Sequence, residues 1–401
     1  ILSTKFFLAI LAIGVIMGLC AGLLNFGINE IETFAFGHND EEFHIITEQT
    51  TALRRFLSVL AAGAIVTLIR ILLIRLKPFL NVSSMMDGRN PPFWQNLIHS
   101  VLQLVAIALG APVGSEAAPR ELGGLFAAKI CRALNISGDE LRLFVACGAG
   151  AGLGAAYNVP LAGALFSLEI LLKSFDTRAI LCAFATSAVA TATAEFGASK
   201  EIYYAVSNFA PTPQNLLAAA LIGLVTGVAA KYFQDGVRLC EKLRIKSLKI
   251  ALTLPLAFLL TAAVGAYVPE ILGNGRSAAQ FAFDSASFSP YLLAILLCKA
   301  FCILMIFRCG GYGGTLTPSF ALGAVLGLCV GFAIGEILPI SLSAAGVCGG
   351  AAFLAINLNA PLCAFALSAG FCGLNLNSYS VVVFSIVCAV IARNLLTKNL
   401  A

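Results

Sequence analysis

Six apolar runs, each close to or above the length that a bilayer requires, constrain this chain more than any other feature. A helix needs roughly 20 apolar residues to cross the hydrocarbon core. The runs cover 6–28, 56–74, 215–230, 251–268, 291–307 and 381–392 with its flanks. Hydrophobic residues make up 59% of the 401 residues and charged residues only 11%, which is more apolar surface than a soluble domain can hide. The sequence therefore predicts an all-α, polytopic membrane protein.

The distribution of charge predicts the orientation of the chain. Acidic residues crowd one early predicted loop, which contains Glu30, Glu32, Asp40, Glu41, Glu42 and Glu48. Basic residues concentrate at 70–77, 173–178 and 231–249. By the positive-inside rule the basic segments are cytoplasmic and residues 30–50 lie outside. We interpret 231–249 as an inner-face loop and expect no nucleic-acid partner. Run 6–28 is too long for a signal-peptide core, so no cleavable signal peptide is expected.

Residue types typical of metal sites and catalytic centres are scattered. The thirteen cysteines lie in apolar segments without a CxxC pair and without a Cys/His grouping, which is typical of small core residues. His38, His44 and His99 are far apart in the chain. There is no Ser/His or paired-Asp arrangement within an interrupted apolar segment. We therefore predict no metal, no cofactor and no enzymatic activity.

The segment 110–124 places a carboxylate, Glu116, among glycines, alanines and prolines. A carboxylate at hydrocarbon depth is costly and usually lines a polar pathway or carries protons. Glycine and proline interrupt a helix and expose backbone N–H groups that can face an anion. This combination indicates ion transport.

An internal repeat relates the two parts of the chain. Cys147 and Gly148 precede Asn158, Pro160 and Leu161, and the same residue types recur 201 positions later. Those counterparts are Cys348, Gly349, Asn359, Pro361 and Leu362.

A second Gly/Pro-broken segment lies upstream of each copy, at 110–124 and 308–323. Such paired interruptions point to the binding site of a transporter, although close helix packing is the simpler explanation of small residues. We expect one membrane domain over 1–401, built from two inverted-topology halves of about 1–195 and 210–401 with broken, partly re-entrant helices.

Three motifs in this order and spacing resemble those of the CLC family of chloride channels and proton/chloride antiporters. Residues 114–119 are similar to its GREGP motif, with Ser115 and Ala117 as departures. Residues 313–318 are similar to its GxFxP motif, with Leu316 in place of phenylalanine, and 148–169 is the most family-like stretch. The resemblance spans about 10–393 and implies transport of chloride or a related small anion.

The resemblance also assigns roles to single residues. It implies that Glu116 is the gating and proton-carrying glutamate, that backbone N–H groups of Thr315 and Leu316 bind the central anion, and that Ala117 belongs to an outer anion site. The remaining candidates are side chains where the family motif is degraded. They are Ser84 or Ser83 as the hydroxyl donor, and Asn375 or Tyr379 at the position of the central tyrosine. For Ser84 a role as a helix N-cap is an alternative.

The inner proton route is the largest departure. Family antiporters often carry two adjacent carboxylates where this chain has Glu169 and Ile170. Glu169 is the inner-side candidate, and two functions follow: an antiporter that uses another inner route, which we favour, and a passive voltage- or pH-gated channel. We assign Arg120 and Glu121 a structural role.

The resemblance implies partners and location as well. We expect a homodimer in a lipid bilayer, a bacterial plasma (inner) membrane, with protons and small anions as ligands. No paired nucleotide-sensing (CBS) domains are expected after Arg393.

Overall fold

A computed structural model describes residues 4–37, 49–76, 78–195, 202–338 and 340–398. Within these residues there are sixteen α-helices and no strand. The first eight are α1 Thr4–Phe36, α2 Ala52–Ile74, α3 Val82–Met86, α4 Phe93–Ala108, α5 Ala117–Ala133, α6 Gly138–Ala156, α7 Pro160–Leu165 and α8 Thr177–Glu195. The last eight are α9 Pro213–Lys242, α10 Ile250–Tyr267, α11 Arg276–Asp284, α12 Pro290–Arg308, α13 Leu316–Ile334, α14 Leu342–Leu358, α15 Pro361–Phe371 and α16 Leu376–Lys398. A π-helical turn covers Phe166–Leu172, and a 3₁₀ turn covers Pro269–Ile271.

Eight of the described helices are long and apolar enough to cross a membrane, namely α1, α2, α8, α9, α10, α12, α13 and α16. Five of the six predicted apolar runs lie within one of them, and 251–268 extends one residue beyond α10. Helices α8 and α13 are additional. The prediction of an all-α, polytopic membrane protein is confirmed.

Two charged segments differ from their predicted structure. Glu30 and Glu32 lie in α1 rather than in a loop, whereas Asp40, Glu41, Glu42 and Glu48 lie outside the described residues. The basic cluster is not a loop along its whole length, because α9 continues to Lys242. Asp235 accounts for part of this extension, since Lys231 and Arg238 pair with it across one turn of the helix.

The chain packs into two compact units. The described residues of 1–30, 72–104 and 115–201 form the first, and those of 31–71, 105–114 and 202–401 form the second. These packing units divide the chain differently from the predicted halves, so the halves stay a prediction.

Glycine contacts position the main helices of each unit. In the first unit, a Cβ added to Gly123 of α5 would lie 2.0 Å from the carbonyl oxygen of Gly148 in α6. In the second unit, a Cβ on Gly323 of α13 would lie 2.4 Å from the carbonyl oxygen of Gly349 in α14. Each helix crosses its neighbour where neither has a side chain, which lets the two backbones touch.

The repeated Asn-x-Pro-Leu motif forms the same turn in both units. Asn158 and Asn359 both have φ of 54°, the left-handed conformation that asparagine tolerates better than most residues. Two residues later Pro160 and Pro361 are the first residues of α7 and α15, a position where the missing N–H costs nothing. The recurrence of these residue types therefore has a local backbone cause.

Candidate functional site

Glu116 lies immediately before α5 and is only 1% exposed. Ala117 and Ala118 form the start of the helix and are buried as well, and Pro119 at its third position has no N–H to satisfy. The first N–H groups of a helix have no acceptor within it and carry about half a positive charge. The start of α5 can therefore face a carboxylate or a small anion.

A small cavity adjoins the residue before Glu116. The hydroxyl groups of Ser115 and Tyr157 are hydrogen-bonded at 2.9 Å, and the Asn25 amide donates to the Ala156 carbonyl at 3.2 Å. These side chains and several apolar ones line a cavity of about 30 Å³. That volume and the polar lining suit a single water molecule.

The corresponding segment of the second unit ends at Thr315, immediately before α13. The Asn357 amide donates to the Thr315 hydroxyl at 2.9 Å and fixes its orientation. Leu316 begins the helix and is buried, and Pro318 takes the same third position as Pro119 in α5. Both predicted anion-binding helix starts are therefore present as helix N-termini, each within its own unit.

Tyr312 lies between two guanidinium groups in the loop before α13. The guanidinium carbons of Arg70 and Arg244 are 4.2 Å and 4.0 Å from the centre of its ring. Such cation–π contacts hold the loop and place two positive charges close to the start of α13. The sequence reading missed this cluster, because its three members are far apart in the chain.

Ser83 and Ser84 lie within α3 rather than before it. Asn81 precedes the helix, and its side-chain oxygen accepts the Ser84 N–H at 2.9 Å. The alternative that Ser84 is the helix N-cap is therefore wrong, because Asn81 caps the helix. The hydroxyl groups of Ser83 and Ser84 stay predicted anion ligands.

Asn375 has a structural role at the start of α16. Its side-chain oxygen accepts the Ser378 N–H at 3.1 Å, while its own N–H donates to Asn208 at 2.9 Å. Tyr379 is half-buried, and its ring packs edge-on against Phe365 with 5.1 Å between the centroids. The side-chain oxygen of Asn375 is thus used in capping the helix. The assignment of Asn375 or Tyr379 to an anion site stays a prediction.

Glu169 and Ile170 lie together in the π-helical turn that follows α7. Both are half-buried. The turn ends at Lys173, which has φ of 54°. Because π turns are rare and occur often at functional sites, the turn marks this segment independently of the motif.

No group of three or more potential metal ligands occurs among the residues that the structure describes. His38 and His44 lie outside this part of the chain. All thirteen cysteines are free, and most are buried.

Comparison with known proteins decides the family. Residues 79–395 match the family profile described as "Voltage gated chloride channel". The chain belongs to this family. The matched region contains every predicted site residue, from Ser83 to Tyr379.

Curated members of the voltage-gated chloride channel family share about 30% identity with this chain. A ClcB-like chloride channel protein of Ralstonia nicotianae is 31% identical over 280 residues, which is 67% of this chain and 65% of the relative. A voltage-gated ClC-type chloride channel, ClcB, of Escherichia coli is 29% identical over 276 residues with the same coverage. The chain thus matches about two-thirds of the length of these relatives.

Solved structures show the same fold. A slow cyanobacterial Cl⁻/H⁺ antiporter has a TM-score of 0.84 at 19% identity, and the match covers 99% of this chain and 96% of the antiporter. A CLC-type fluoride/proton antiporter has a TM-score of 0.73 at 16% identity, with 98% and 97% covered. Together with the eight apolar helices, these matches identify an integral, multi-pass membrane protein.

Proposed function

We propose that this protein moves chloride, or a related small anion, across a membrane in exchange for protons, with Glu116 as the gate. Family membership and the antiporter structures of the same fold support the transport class. The observation that carries the proposal is the buried carboxylate of Glu116 directly before the N-terminus of α5.

The chemistry of this position suits an exchange of ligands. An ionised carboxylate and an anion compete for the same N–H groups and the same positive helix end. Once the carboxyl group is protonated, it no longer competes with the anion. One site can in this way hold a proton and an anion together, and release of the proton restores the competing carboxylate.

A passive channel is the second candidate, and Ile170 favours it. Ile170 supplies no carboxylate next to Glu169, where family antiporters often carry a second one. A proton at that depth without a polar partner is costly. We favour the antiporter because Glu116 is present and because water can bridge the polar gap that one side chain leaves open.

The deciding experiment records anion efflux and proton movement together in sealed proteoliposomes. For an antiporter, a chloride gradient drives protons inward against their own gradient. Chloride efflux without proton uptake would establish a channel, and no efflux of chloride, nitrate, bromide or fluoride would contradict the transport proposal altogether.

We further propose a homodimer in a bacterial inner membrane. We expect the contact to form through residues 162–172 and 179–192, where large apolar side chains are exposed at or beside these segments, at Leu161, Leu181 and Phe184. Because the cysteines are buried or half-buried within apolar segments, the dimer is expected to survive reducing agent, which light scattering in mild detergent can check. Dissociation on reduction would overturn the packed-helix interface.

A further inference from the structure

A histidine and a glutamate face each other inside the first unit. His99 of α4 is 1% exposed, and its Nε2 lies 3.6 Å from Oε2 of Glu121 in α5, whose side chain is 13% exposed. The same oxygen accepts the Gln103 amide at 2.9 Å and the Ser100 hydroxyl at 3.3 Å. Burial raises the pKa of the Glu121 carboxyl group, and these two hydrogen bonds oppose that shift in part because they favour the ionised form.

The imidazole of His99 is held in place on its other side. It stacks on the ring of Phe79 with 3.6 Å between the centroids and 16° between the planes. The segment that carries Phe79 is fixed in turn by Asn96, which bonds both backbone groups of Leu80 at 2.6 Å and 3.2 Å. A stacked aromatic face stabilises an imidazolium better than a neutral ring.

The net charge around Glu121 changes by one unit when His99 gains or loses a proton. Among the residues that the structure describes, the charged groups that face Glu121 are His99 from α4 and Arg120 from its own helix. Arg120 keeps its charge at every relevant pH, and its guanidinium lies over the Phe166 ring at 5.6 Å. The variable charge is that of the imidazole, which changes between about pH 5 and pH 8.

We propose that His99 and Glu121 form a second proton-binding site, in which the imidazole takes up one proton beside the carboxylate. The proton comes from water and converts imidazole to imidazolium, which leaves the pair neutral. Its release to water removes one positive charge from beside α5 and leaves the carboxylate of Glu121 balanced by Arg120 alone.

The consequence for transport rests on the proposed function. Glu121 is five residues after Glu116 on the helix that begins there, about 7.5 Å along its axis. The loss of one positive charge at about that distance disfavours an anion at the start of α5. At the effective dielectric constant of protein sites, chloride binding should weaken on the order of tenfold when His99 loses its proton.

The protonation of His99 can be observed directly. The chain has three histidines, so a His38→Asn/His44→Asn background leaves one imidazole. Nitrogen-15 NMR of this protein across about pH 5 to pH 8 should show conversion from imidazolium to imidazole. In Glu121→Gln the imidazolium signal should be lost from this range, because a lone buried charge is costly. A His99 that stays neutral throughout would overturn the proposal.

Chloride binding provides the functional test, with calorimetry in the Glu116→Gln background so that Glu116 does not titrate. The Glu116→Gln protein that retains both His99 and Glu121 should bind chloride on the order of tenfold more tightly at low pH than at high pH. His99→Gln should bind weakly at both pH values. Both Glu121→Gln and the His99→Gln/Glu121→Gln double variant should bind tightly at both, which separates lost charge from damaged packing. Equal pH dependence in all four proteins would refute the inference, whereas no chloride binding in any of them would refute the proposed function.

Discussion

Gly114 and Gly314 form an antiparallel bridge in which each N–H donates to the carbonyl of the other at 2.8 Å. Both residues belong to the second packing unit. They lie two residues before Glu116 and Leu316 in the chain, and this pair of bonds fixes the backbone of the two loops where they meet within that unit. A neighbouring contact tightens the crossing, since a Cβ on Gly313 would lie 2.4 Å from the Val113 side chain. Because glycine has no Cβ, the two backbones can approach this closely at Gly114 and Gly314.

Removal of the charge at Glu116 should separate the two ion movements. Glu116→Gln keeps the size of the side chain but cannot take up a proton, so we expect anion flux to persist and proton uptake to fall to background. Simultaneous chloride and pH recordings in liposomes measure both. Glu140→Gln is the matched control, because Glu140 is a surface carboxylate paired with Arg178, and its coupling should equal that of the parent. A Glu116→Gln protein that still moves protons against their gradient would contradict the assignment.

The π turn offers a test of the inner proton route. If water or Glu169 completes the route, the parent should couple protons to chloride and Glu169→Gln should reduce the proton-to-chloride ratio. If a second carboxylate is needed, coupling should be absent from the parent and appear in Ile170→Glu. The same paired recording distinguishes the two, and the second pattern would replace our antiporter proposal by a channel.

The crossing of α5 and α6 should not tolerate a methyl group. Gly123→Ala places a carbon 2.0 Å from a backbone carbonyl, so the helices must separate at a cost of about 1–3 kcal/mol. Gly22→Ala in α1 is the control, because no atom lies within 4 Å of the added carbon, and alanine should stabilise that helix by about 0.5–1 kcal/mol. Thermal unfolding in detergent should show opposite shifts. Equal melting temperatures for the two variants would show that the crossing is looser than described.

The left-handed turn after α6 should prefer residues that tolerate positive φ. Asn158→Gly should leave stability almost unchanged, whereas Asn158→Val should cost at least about 1–2 kcal/mol, because a β-branched residue is strained at φ of 54°. Thermal unfolding of both variants checks this. A valine variant as stable as the glycine variant would mean that the turn adopts another conformation.

The sequence predicted those features that depend on local physics. Apolar runs of bilayer length became helices, and the repeated Gly/Pro segments became helix starts at Ala117 and Leu316, because composition and backbone chemistry act within one segment. Contacts between distant segments were beyond such reasoning. Nothing in the sequence near Tyr312 indicates its contacts with Arg70 and Arg244. Likewise, nothing near Lys299 indicates that its buried side-chain nitrogen donates to the carbonyls of Ile271 at 2.8 Å and Gly273 at 3.1 Å.

Capping was the least predictable feature at the site. Ser84 and Asn375 both belong to residue types that cap helices and bind anions, so residue type alone could not separate the two roles. The structure shows that Asn81 caps α3 and that Asn375 caps α16. A cap depends on where the first helical turn begins, and sequence reasoning locates that boundary only to within a few residues.

The π-helical turn at Phe166–Leu172 holds one residue more than an α-helix of the same rise would need. Shortening the chain by one residue within this turn would let it close as an ordinary α-helix. Every side chain on one side of the deletion would then rotate by about 100° relative to the other side. The orientation of Glu169 is therefore set by the length of this segment as much as by its residue types, and related chains that differ here by one residue would present their carboxylates in different directions.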